Sequence, residues 1–263
     1  MEKVLVTGAT GYIALHCIHQ LLNQGYAVNV ASPLSINTHD EDYFVKPAVS
    51  GVKRAFKFAK KHNVKKVILT SSVAAILETG EDKQYFDETD WSDPESSEIS
   101  HYSKSKTLAE MAAWDFVKEE GHPFELAVIN PALVTGPSLT NDLGESNKAI
   151  EMVVTGKMAV AIPIQFGFVD VRDVADAHIL AMKSSLSNGE RFALSEKDLW
   201  YKDIAKLLKS NGFNKVPSMS VPIWLAKFLA NFNQQLKATV PFMGRVRSTS
   251  KTTKAEDILG WNP

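Results

Sequence analysis

The chain has 263 residues, 44% of them apolar and 22% charged, which is enough for one or two packed cores and excludes a disordered chain. Its 29 lysines and arginines stand against 30 aspartates and glutamates, and a net charge of −1 excludes the basic excess of a nucleic-acid binder. A single cysteine, Cys17, excludes an intrachain disulfide, and no run approaches the roughly 20 apolar residues of a membrane span.

In chain order, Lys3–Val6 reads as a short strand, Thr7–Gly11 as a glycine-rich turn, and Tyr12–Asn23 as a helix. The helix carries Ile13, Cys17, Leu21 and Leu22 at helical spacing and is ended by Gly25. Tyr26–Ala31 reads as a second strand, stopped by Ser32 and Pro33. Pro47–His62 is a helix with Val49, Val52, Phe56 and Ala59 on one face; its lysines and Arg54 form the solvated side rather than an anion-binding patch. Val64–Ser71 is a strand, and residues 77–100 are a polar, acidic loop around Trp91, of a length usual for functional or mobile loops. Tyr102–Glu120 is a helix through Leu108, Met111, Ala112, Phe116 and Val117, followed by the strand Phe124–Asn130. Beyond it, helices are expected near 144–156, 171–185, 201–211 and 221–235, and strands near 158–162 and 190–194. The alternation predicts an α/β fold, a parallel sheet covered on both faces. His16 and His19 lie one helical turn apart without a third ligand, so they read as structural and no metal site is expected. The apolar stretch containing Ile223, Trp224, Leu225, Phe228 and Leu229 reads as a packing face over a substrate cavity rather than a membrane-surface helix.

Two motifs carry chemistry. Gly8-x-x-Gly11-x-x-Ala14 follows a strand and opens a helix. Gly8 permits the tight turn, Gly11 lets a pyrophosphate approach the backbone, and the helix N-terminus offers N–H groups and partial positive charge. Tyr102 and Lys106 lie one turn apart on one helix face. A tyrosine acting as proton donor at neutral pH needs its pKa of about 10 lowered by about 3 units, and a neighbouring ammonium is a physical means to do so. The preceding strand ends in Leu69-Thr70-Ser71-Ser72, which sets a hydroxyl at the carboxyl edge of the sheet, where open α/β folds bind ligands.

These residues resemble the extended short-chain dehydrogenase/reductase family, within the NAD-dependent epimerase/dehydratase superfamily, and in it the dihydroflavonol-4-reductase-like aldehyde and ketone reductases. The matching stretches are Val6–Ala14, Val30–Pro33, Leu69–Ser72, Tyr102–Glu110, Asn130–Pro137 and Phe168–Ala175. The resemblance implies a Rossmann-type fold and a catalytic trio: Ser72 bonds the substrate carbonyl, Tyr102 delivers its proton, and Lys106 binds the nicotinamide ribose and keeps the tyrosine acidic. It further implies NADP(H) as cofactor, with NAD(H) as the alternative. The cofactor contacts would come from Thr7, Gly8, Ala9, Thr10, Gly11, Tyr12 and Ile13, from Ala31 and Ser32, and from Tyr102, Lys106, Pro131, Val134 and Ser146.

The chain departs from that family after Val28. Tyr26-Ala27-Val28 resembles the start of the family's second strand, whereas Val30–Pro33 resembles the end of its fourth. Two βα units, on the order of 50 residues, have no counterpart, and with them go the family's contacts to adenosine and to the ribose 2′ position. A right-handed crossover would place the fused strand on the usual second-strand side, so that strand 64–71 pairs with strand 3–6 in a 2-1-3-4-5 order. The other arrangement puts the fused strand in the fourth-strand slot.

The expected organisation is a dinucleotide-binding domain over 1–135, shortened by about two strands, and a mainly helical substrate-binding lobe over 136–263 that shares part of the sheet. The expected activity is NADP(H)-dependent reduction of a small aldehyde or ketone. Two other readings are a catalytically weak scaffold relative that acts as a binding protein, and a nucleotide-sugar epimerase or dehydratase. The opening of the sequence shows no signal-peptide pattern, so a cytoplasmic monomer or homodimer without nucleic-acid or membrane partners is expected.

Overall fold

The computed structural model of the protein describes residues 2–31, 41–141, 143–157, 161–217, 221–232 and 240–263. The first unit is β1 (Lys3–Thr7), α1 (Tyr12–Asn23) and β2 (Ala27–Ala31). β2 runs parallel to β1, with Lys3 opposite Ala27 and Thr7 opposite Ala31. α2 (Glu41–Lys61) begins before the position that its proline suggested, and Pro47 lies inside the helix. β3 (Lys66–Thr70), α3 (His101–Glu119) and β4 (Glu125–Pro131) follow as expected. The rest comprises β5 (Leu133–Thr135), α4 (Gly144–Val154), β6 (Gln165–Asp170), α5 (Val171–Lys183), β7 (Arg191–Leu194), β8 (Lys197–Trp200), α6 (Tyr201–Ser210), α7 (Ile223–Ala230) and α8 (Lys254–Leu259). The strand expected near 158–162 lies largely outside the described residues. No described helix is long and apolar enough to cross a membrane.

β4 organises the fold. It pairs in parallel with β3 on one side and with β7 on the other, so the sheet draws one strand from beyond residue 135. Leu126 and Val128 turn to one face, against Phe56 and Ala59 of α2 and Ala113 and Phe116 of α3. Ala127 and Ile129 turn to the other face, against Val171, Val174 and Ala177 of α5 and Trp261. All four β4 residues are at most 1% exposed, as a parallel strand covered on both faces requires. A third cluster, Ile162, Ile164, Tyr201, Ala205, Val216, Ala226 and Met243, is the core of the C-terminal part. A small sheet that the sequence pattern did not suggest joins β5 in parallel and β8 antiparallel to β6.

The strand order differs from both expectations. β1 and β2 form a two-stranded sheet of their own, and among the described residues no ladder joins either of them to β3. The helix between them, α1, packs on α5, so helix contacts hold this unit to the main sheet. The physical reason lies in the helices: α1 packs on β1 and β2, while the helix that follows β2 packs elsewhere. α2 covers β3 and β4 by packing on α3, and β1 alternates between exposed and half-buried positions, with Leu5 44% exposed.

Candidate active site

The glycine turn has the backbone geometry that a phosphate cradle requires. Gly8 sits at φ +67°, in the left-handed region that favours glycine, and Gly11 N–H donates to its carbonyl at 2.8 Å. A side chain at Gly11 would place its Cβ 3.1 Å from Gly8 O, while the space around Gly8 is open to 4 Å. The N-cap of α1 is Gly11, which has no side chain to cap the helix, and the first turn holds no acidic residue. An open glycine turn leading into an acid-free helix N-terminus fits a dinucleotide pyrophosphate.

The remaining residues expected at the cofactor divide by position. Thr7 closes β1 opposite Ala31, so the end of β2 lies beside the turn; Ser32 lies outside the described residues. Ala9 is buried, Thr10 stands inside the turn, and Tyr12 and Ile13 direct their side chains into the core. Tyr12 packs edge-on against His16, and a Cβ at Gly144 would meet its ring at 3.0 Å. His16 Nε2–H donates to Pro137 O at 2.9 Å, and Asn147 Nδ2 donates to Gly136 O at 3.0 Å. The start of α1 is thereby fixed against the start of α4, the helix that carries Ser146. Pro131 ends β4, and Val134 of β5 is buried in the same core cluster as Tyr12.

Ser72 follows β3 and caps the short 3₁₀ turn Val73–Ala75; its Oγ accepts from Ala74 N at 3.2 Å. That turn packs on α3. Tyr102 stands in the first turn of α3, half exposed, and its hydroxyl has no hydrogen-bond partner among the described residues. Lys106 places its Nζ 5.7 Å from the centre of the tyrosine ring. Ser72 thus stands at a corner where its turn packs on α3, the helix that carries Tyr102 and Lys106, whereas the glycine turn belongs to the β1–β2 unit. A cavity of about 300 Å3 lies elsewhere, lined by Ile162, Pro163, Trp200, Tyr201, Lys202, Ile223 and Gly244. Ile223 of the expected packing face lines it, yet Ile223, Trp224 and Phe228 are all exposed.

Sequence reasoning missed the polar hub beneath this corner. Glu110, 1% exposed, forms an ion pair with Arg191 Nε at 2.6 Å and accepts from Ser71 Oγ at 2.5 Å and Asn130 Nδ2 at 2.8 Å. Asn130 also donates to Ser72 O at 3.2 Å, while Arg191 donates to Glu88 O and Asp90 O and stacks 3.7 Å from the centre of the Trp91 ring. The usable signal was a charged residue opening the otherwise apolar strand Arg191-Phe-Ala-Leu194.

Comparison with known proteins agrees with this architecture. A cinnamoyl-CoA reductase of Medicago truncatula is 31% identical over 277 positions, covering 83% of this chain and 82% of the relative. Since 83% of 263 residues is about 218, the aligned relative carries about 59 positions without a partner here. A ketoreductase of Aspergillus niger is 28% identical, covering 88% of this chain and 90% of its own. The crystal structure of Gre2 from Candida albicans in complex with NADPH superposes with a TM-score of 0.77 at 25% identity, covering 100% of this chain and 94% of that one. Residues 28–194 match the NAD dependent epimerase/dehydratase family, and the chain belongs to that family.

Proposed function

We propose that the protein is an oxidoreductase that reduces a small aldehyde or ketone with NADPH, Tyr102 acting as the acid. The observation that carries this reading is the pairing of Tyr102 with Lys106 beside the Ser72 turn. Ser72 Oγ accepts from Ala74 N, which leaves its own O–H to donate to a substrate carbonyl oxygen. Tyr102 gives its proton to that oxygen as the alcohol forms, and the Lys106 ammonium favours the phenolate left behind. NADPH, when bound, supplies the hydride; the Gly8–Gly11 turn would hold its pyrophosphate, and Lys106 its nicotinamide ribose. The cofactor choice follows relatives such as Gre2, whose structure contains NADPH. The substrate class follows yeast Gre2, described as a methylglyoxal/isovaleraldehyde reductase, and the reductases of matching sequence. We assign the ~300 Å3 cavity and its surrounding core to the substrate-binding lobe.

The isolated β1–β2 sheet favours a second reading, a catalytically weak relative that binds the cofactor. Consumption of NADPH with isovaleraldehyde and with methylglyoxal separates the two. Turnover that depends on the carbonyl compound supports the reductase; saturable NADPH binding without turnover of either compound supports the binding protein.

A further inference from the structure

A continuous hydrogen-bonded path joins Ser72 to the first turn of α3. Ala74 N donates to Ser72 Oγ at 3.2 Å, and Ala74 O accepts from Ser92 Oγ at 2.8 Å. Ser92 Oγ in turn accepts from Glu78 N at 2.8 Å. The Glu78 carboxylate completes the path: Oε2 accepts from Ser100 N at 3.1 Å and Oε1 accepts from Ser103 Oγ. Ser100 Oγ caps the helix by accepting from Ser103 N at 3.1 Å and donates to Ser103 Oγ at 2.8 Å. Tyr102 lies between these two serines.

We propose that Glu78 is a positioning residue that fixes Tyr102 relative to Ser72, with Ser92 as the link through which it acts. Glu78 is 7% exposed and Ser92 1%, so the path runs through the interior. A buried carboxylate with two donors is an expensive way to cap a helix that Ser100 already caps. Its backbone explains the arrangement better: Glu78 N and O engage Ser92 Oγ and Asp93 N, while its side chain engages Ser100 and Ser103. One residue thus ties the returning end of loop 77–100 to the start of α3. Burial pushes the Glu78 carboxyl above its ordinary pKa, and the serine donors oppose that rise. The proposal rests on Tyr102 and Ser72 acting together, as in the reading above.

The test compares Glu78→Gln, Ser92→Ala and their combination with the parent protein, using isovaleraldehyde and NADPH for kinetics and hydrogen exchange for structure. Ser92→Ala touches neither α3 nor Tyr102. Both single variants are expected to lower kcat on the order of 10-fold or more, since small misplacements of reacting groups are costly, with the Kd for NADPH unchanged. The double variant should fall no further than the worse single one. Exchange should rise both at 72–76 and at 100–104, while β4 stays protected. A residue that only capped α3 would leave kcat unchanged in Ser92→Ala, and that result overturns the proposal even if Glu78→Gln is unstable. If the parent protein turns over no carbonyl compound, the reductase reading fails and exchange alone decides: loosening at both ends supports the path, loosening at α3 alone overturns it.

Discussion

The Lys106 ammonium lies 5.7 Å from the centre of the Tyr102 ring, one turn further along α3. Their spacing on one helix face holds the charge near the phenol whatever the rest of the fold does. The sheet does not impose the same discipline on the glycine turn, which stands on a separate pair of strands.

That turn is open to direct test. Gly11→Val puts a β-branched side chain where even a Cβ would lie 3.1 Å from Gly8 O, and it fills the approach to the backbone. Calorimetry on the folded variant should show no NADPH binding. Retained affinity would make the turn purely structural.

The buried pair under the site should dominate stability. Arg191→Leu removes the cationic partner of the enclosed Glu110 and leaves, among the described residues, only Ser71, Asn130 and Trp114 as donors to it. Urea unfolding is expected to show a loss of about 3–5 kcal/mol. A change below about 1 kcal/mol would mean that the hub relaxes to admit water.

His178 gives a pH signature. Its Nδ1–H donates to Val174 O at 2.7 Å, so in the neutral ring Nε2 accepts from Thr70 Oγ1 at 2.8 Å. Burial pushes its pKa below the ordinary histidine value, against the smaller opposing effect of the Val174 bond. The unfolded chain therefore takes up the proton first as pH falls below about 6.5, and stability is lost from there down to the folded-state value, by at most about 1.4 kcal/mol per pH unit. Unfolding midpoints of His178→Gln should show a flatter pH dependence than the parent. Identical slopes would exclude the histidine.

The elements most legible in the sequence were those with long, one-sided patterns. α3 and α5 show helical spacing, and β4 is a bounded apolar run, so they lie within a few residues of their expected positions. β6 escaped because Gln165 and Gly167 interrupt its apolar pattern, and its pairing with β8 depends on residues about 30 positions away. The strand order escaped because handedness rules assume that the ends of a unit are fixed by neighbouring units, and here those neighbours are missing. Of the site, Ser72, Tyr102 and Lys106 could be read from spacing and resemblance. Glu78 could not: its role depends on a loop that brings Ser92 back to it, and no local pattern records that closure.

We propose that loss of the family's adenosine-side segment weakens cofactor discrimination. Selection of a 2′-phosphate rests on charge-assisted bonds contributing roughly 1.5–3 kcal/mol each, and no residue here is identified as their source. Parallel titrations should show a preference for NADPH over NADH of less than about 100-fold. A stronger preference would reveal a cation that replaces the missing one.

The central claim is that Tyr102 is the proton donor, and the measurement that tests it most directly is turnover of NADPH with isovaleraldehyde by Tyr102→Phe beside the parent protein. Tyr102 is half exposed and its hydroxyl has no described partner, so removing that hydroxyl should leave the fold intact and change NADPH affinity little. Turnover is expected to fall by at least about 100-fold. Equal turnover by the two proteins would contradict the assignment and remove Tyr102 from the mechanism.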